Sequence, residues 1–92
     1  MRGMYMYMAD AAIFRECRTQ LKMPVAASAD SAALERTYLA TRKVPGEELL
    51  GSLDGQIANR AGPDGGQLRP TLLVEHLTKV WSGANCDSNV SE

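Results

Sequence analysis

The chain has 92 residues, 10 Lys plus Arg against 11 Asp plus Glu, and a net charge of −1. That length makes one domain near the lower limit at which a hydrophobic core holds a chain together unaided. Basic residues that are scattered rather than gathered into a stripe argue against nucleic-acid binding, and no apolar run approaches the ~20 residues of a membrane span.

The N-terminal stretch reads first as a strand. Met4, Met6 and Met8 fall on one side of it, with Tyr5 and Tyr7 on the other. After a weak break at Ala9-Asp10-Ala11, residues Ala12–Cys17 support a second short strand. The segment RTQ then makes a turn, and Lys22–Ala27 reads as a returning strand in which Pro24 marks an edge or an unpaired amide. Residues 28–43 form the one convincing helix. Ser28 or Asp30 offers an N-cap oxygen, and Leu34 and Tyr38 are spaced i, i+4 on a modest apolar stripe with Ala33 and Thr37. Arg42 and Lys43 suit its C-terminal end, and Val44-Pro45-Gly46 stops it.

Glu48–Asn59 alternates as a fourth strand, with Leu49, Gly51, Leu53, Gly55 and Ile57 on one face. Two glycines there predict strong curvature or close backbone approach. Pro63-Asp64-Gly65 is a turn. Arg69–Trp81 is the last strand, and its faces tie: Leu72, Val74 and Val80 oppose Leu73, Leu77 and Trp81. That tie predicts a bulge or cover on both faces. The order β-β-β-α-β-β, with the helix between the third and fourth strands, is the connectivity of an OB-fold, a five-stranded, mainly β barrel with one helix. The domain is expected to span residues 1–86, followed by a disordered tail at 87–92.

Cys17 and Cys86 are too far apart for a CxxC redox motif or, by themselves, a zinc site. They are either two unrelated buried thiols or one disulfide. The polar surroundings of Cys86 (GANCDSNVSE) leave little core to hide a free thiol and favour the bridge. A core with only Tyr5, Tyr7, Phe14, Tyr38 and Trp81 as aromatics gains from such a staple.

Candidate chemistries are few. Met4, Met6 and Met8 could offer thioethers to Cu(I), although alternating methionines on a strand are more often core filler. His76 has no nucleophile context and reads as a strand residue partly packed on the barrel. Asp10, Glu16, Glu35, Glu47, Glu48 and Asp54 show no helix-face pairing of the kind that builds a metal or glycosidase site, and they read as solvated charge. Asp10 is expected to organise the strand break through backbone bonds. The AGPDGG loop lacks the Lys-Ser/Thr and following helix of a phosphate loop. No cofactor motif is present, and no catalytic residue is assigned.

The ordered strings YMADAAIFREC, MPVA, ALERTYLATR, LLGSLDGQIANR and LLVEHLTKVWSGANC resemble the C-terminal OB-like domain of NlpE-type bacterial envelope lipoproteins. The resemblance rests on Tyr7 to Ala11, Phe14 with Cys17, Leu34 to Leu39, Gly55, and Trp81 with Gly83 and Cys86. It implies export to the periplasm or attachment at the outer membrane, a Cys17–Cys86 bridge, a lipid-anchored precursor, and links to envelope stress, surface sensing or copper tolerance. The N-terminus is not itself an export signal, because Arg2 is followed by a short stretch that Asp10 interrupts. A mature or excised piece is therefore expected.

The expectation is a non-enzymatic envelope module that binds or senses a protein partner. By OB-fold analogy its surface lies on strands two and three with the loop between strands four and five, near Arg15, Arg18, Lys22 and Asp64. The rival readings are an inhibitor of a host enzyme such as lysozyme, a Cu(I) carrier and, last, a nucleic-acid OB module.

Overall fold

The computed structural model describes residues 1–9, 11–27, 30–61 and 66–91. Its elements in chain order are β1 (Arg2–Met8), β2 (Ala11–Glu16), β3 (Lys22–Pro24), α1 (Ser31–Thr41), β4 (Leu49–Ala61) and β5 (Leu68–Trp81). The strands form one antiparallel sheet in the order β3-β2-β1-β4-β5. The sheet coils until its two edges meet at a single parallel bridge, Val25 with Leu72, beside which the Ala26 N–H donates to the Leu72 carbonyl at 2.9 Å. This is the OB arrangement, with closure among the described residues at that one bridge.

The break after β1 is a tight hairpin. Met8 pairs with Ala11, and Ala9 adopts a φ of 53°, the left-handed conformation that short hairpin loops demand. Asp10 lies outside the described residues. β3 ends at Pro24 rather than at Ala27, because the chain leaves β2 there: the Val25 N–H still reaches Ala12, but the next amide bonds across to β5.

Alternation along the strands puts Tyr5, Phe14, Met23, Leu49, Leu53, Leu72 and Val74 into the barrel interior, where Leu34 and Tyr38 of α1 join them. Tyr5 and Tyr38 meet edge to face, with centroids 5.3 Å apart. The Tyr38 hydroxyl donates to the Glu47 carbonyl at 2.6 Å, tying the helix to the segment that enters β4. The helix ends at Thr41, two residues before the predicted end, where the Arg42 N–H donates to the Tyr38 carbonyl (2.8 Å).

The tied faces of β5 resolve into bulges. Ser52 pairs with Lys79 but Leu53 with Leu77, and Asp54 pairs with His76 but Gly55 with Val74, so Thr78 and Glu75 are each an extra residue on β5. Each extra residue resets the side-chain parity. Leu72, Val74, Leu77 and Val80 therefore all reach the interior side, although their spacing is not a simple alternation. Asp30, which the sequence offers as a helix cap, makes no capping bond. Its N–H donates to the Val74 carbonyl at 3.2 Å and its carboxylate accepts from the Leu77 N–H at 2.7 Å. The bulges redirect backbone groups toward the helix, and Asp30 satisfies them.

Close backbone approach explains one of the two β4 glycines. A Cβ at Gly55 would stand 2.5 Å from the Leu73 carbonyl oxygen, whereas one at Gly51 would meet nothing nearer than 3.9 Å.

The two cysteines form a disulfide with a Cα–Cα distance of 5.4 Å across 69 positions of chain. Beyond it, where polarity predicts disorder, the Ser88 N–H donates to the Asn85 carbonyl at 2.9 Å and Arg2 donates to the Val90 carbonyl at 3.2 Å. Of the described residues after Cys86, Val90 is thus the one shown bonded to a strand, through Arg2. Among the described residues no helix is long and apolar enough to cross a membrane.

Candidate interaction surface

The β2–β3 hairpin is laced by its own short polar side chains. The Gln20 N–H donates to the Glu16 carbonyl (2.8 Å), and the Glu16 N–H donates to the Leu21 carbonyl (3.0 Å), which closes the turn. The Thr19 hydroxyl donates to the Glu16 carboxylate at 2.7 Å and accepts from the Leu21 N–H at 3.2 Å. Glu16 is therefore a buried, bonded carboxylate, not the solvated charge expected of it. Gln20 adopts a φ of 61° and donates its side-chain amide to the Cys17 carbonyl at 2.8 Å.

Three of the four residues proposed for a surface meet on this hairpin. Arg15 and Lys22 are direct cross-strand partners, and Arg18 is exposed in the turn between them. Their charges are not equally available. Arg15 is engaged internally, 3.6 Å from the Glu48 carboxylate and hydrogen-bonded to Gln20. Arg18 and Lys22 are exposed and have no such ion pair among the described residues. Asp64 lies outside the described residues.

A row of cross-strand neighbours runs from this hairpin across the outer face of the sheet: Lys22, Arg15, Met4, Leu50, Trp81. Met4 and Leu50 are buried within it. Trp81 carries the Arg2 guanidinium 5.4 Å and the Lys79 ammonium 5.6 Å from its ring. Sequence reading missed both: Lys79 shares the Trp81 face by simple i, i+2 spacing along β5, whereas the adjacency of Arg2 to Trp81 depends on the β1–β4–β5 register. The disulfide anchors this face at one end. The Cys17 N–H donates to the Arg2 carbonyl at 2.9 Å, and Arg2 in turn holds Val90.

The other candidates scatter. Met4 is buried, Met6 half-buried against the core, and Met8 is 48% exposed beside the Gly46 turn, so the three share a strand face but not a setting. His76 is exposed opposite Asp54 rather than packed. Glu47 accepts from the Lys43 N–H at 2.6 Å, Glu35 lines a small pocket with Tyr5, Tyr7 and Ser31, and Glu48 serves Arg15. No group of three or more His, Cys, Asp or Glu side chains among the described residues is placed to hold a metal. Burial pushes the Tyr5 phenol well above its ordinary range, and the Glu35 carboxylate adds to the shift.

Comparison with known proteins matches residues 1–87 to the family described as the NlpE C-terminal OB domain. The chain is 38% identical over 88 residues to lipoprotein NlpE of Escherichia coli (strain K12), covering 96% of this chain and 36% of that protein. It superposes on the crystal structure of the Cpx pathway activator NlpE from Escherichia coli with a TM-score of 0.77 and 37% identity, covering 97% of this chain and 44% of that one. The chain thus spans about a third of the curated relative and under half of the solved one.

Proposed function

The chain belongs to the NlpE C-terminal OB-domain family, and from that premise we propose that it is a non-enzymatic protein-interaction module of a bacterial envelope lipoprotein, working in the periplasm or at the outer membrane within an envelope-stress response. The observation that carries this reading is the Cys17–Cys86 bridge, which fastens the β2–β3 hairpin to the C-terminal segment and suits an oxidising compartment. Beside the bridge, Arg18 and Lys22 are exposed on a hydrogen-bonded turn and have no ion pair among the described residues, a placement that favours a partner with acidic groups.

The Escherichia coli relative of known structure is a Cpx pathway activator, and that activity supplies the assay. Full-length protein carrying Arg18→Glu and Lys22→Glu should activate a Cpx reporter less than wild type when expressed at equal level, while the melting temperature of the domain stays unchanged. Full activation by that variant, or loss of activation only on substituting exposed residues elsewhere, such as Asn59 or His76, would reject the surface.

A further inference from the structure

Arg60 and Arg69 face each other directly across the β4–β5 ribbon. Both are exposed, and neither guanidinium has an ion pair or hydrogen bond among the described residues. Like charges placed directly opposite in a sheet repel, so the free protein bears a local cost that an anion would relieve. The pair borders a groove of about 430 Å³, walled by Pro24, Val25 and Ala26 on one side and by Ala61 and Thr71 on the other. The groove opens beside the Val25–Leu72 bridge, the one point of edge closure among the described residues. Toward the hairpin the β5 edge runs on with no β3 beside it.

Two features restrict what can enter. The Leu72 and Val74 carbonyls both accept from outside the sheet, so alternate β5 residues turn their backbone groups to this edge, and the next such position toward the hairpin is Pro70, which has no N–H to give. A partner strand extending the sheet there would go without that donor, which shifts recognition toward side chains. Nor is there an aromatic ring in the lining on which a nucleic-acid base could stack.

We propose that this groove binds an acidic, leucine-bearing segment of a partner protein, with carboxylates on the Arg60–Arg69 pair and an apolar side chain between Val25 and Thr71. The inference deepens the interaction-module reading and rests on it, at a surface distinct from Arg18 and Lys22.

The test is a titration of the isotopically labelled 92-residue chain with the peptide acetyl-Asp-Leu-Glu-Glu-Leu-Asp-amide, followed by NMR. Saturable shifts are expected at Val25, Ala26, Ala61 and Thr71. Affinity should fall at least about tenfold in the double variant Arg60→Ala, Arg69→Ala, and again on raising salt to about 0.5 M. The Asn/Gln version of the peptide should not bind. Because both arginines are exposed, the variant keeps its fold, and Arg69→Ala alone should melt slightly higher than wild type once the repulsion is gone. Absence of saturable shifts, shifts that survive in the double variant, or equal binding of a thymidine oligonucleotide would each overturn the proposal. Those failures leave the Cpx reporter response to Arg18 and Lys22 reversal untouched, so the two readings fall separately.

Discussion

Asp30 sits where helix propensity would use it as a cap, yet its carboxylate reaches β5 and accepts from the Leu77 N–H. Asp30→Ala leaves that amide without its charged acceptor and should cost about 1–3 kcal/mol in urea denaturation, whereas Asp30→Asn, which keeps an acceptor oxygen, should cost less. Tyr5 gives a pH signature. Its phenol titrates higher in the folded barrel than in the unfolded chain, whose value is about 10. Below that pH both states hold the proton and this group is silent. Above it the unfolded chain ionises first, so stability falls by at most about 1.4 kcal/mol per pH unit until the folded phenol itself ionises. Alkaline denaturation should therefore be shallower in Tyr5→Phe, and an unchanged slope would exclude this residue as the cause. None of these roles can be read from residue type alone, since an Asp before a helix and a Tyr on a strand have commoner uses.

At the scale of elements, β4 and β5 share one ribbon whose shape depends on bulges at Glu75 and Thr78 and on a missing side chain at Gly55. Gly55→Ala would push a methyl group against the Leu73 carbonyl and should destabilise by about 1–3 kcal/mol. The same change at Gly51, where there is room, should cost less, and thermal melts of the two variants compare them directly. The tied apolar faces of β5 were a legible sign of a bulge, because regular alternation cannot bury Leu72, Val74, Leu77 and Val80 together. The number and position of bulges were not, since they depend on which β4 residue stands opposite. The helix ends differed from expectation for a similar reason. Propensity favours 28–43, but Arg42 turns to extended backbone so that Tyr38 can meet Glu47 and Tyr5.

At the scale of the whole molecule, the disulfide joins the β2–β3 hairpin to the last segment across 69 positions of chain. Loop-closure entropy assigns such a bridge about 4 kcal/mol, a large share of the ~5–15 kcal/mol that holds a domain together. Cys17→Ser with Cys86→Ser should lower the melting temperature by roughly 15–30 °C, and calorimetry under non-reducing conditions reads that loss. The element order along the chain and the helix between the third and fourth strands were legible from residues in line, because local patterning dictates each element, and the polar surroundings of Cys86 pointed to its pairing with Cys17. Cross-strand neighbours were not. That Arg15 is spent on Glu48, that Arg2 reaches the Trp81 ring, and that Arg60 confronts Arg69 all follow from register. Register is set by how the whole sheet coils on its core, so only the tertiary structure decides which charges meet.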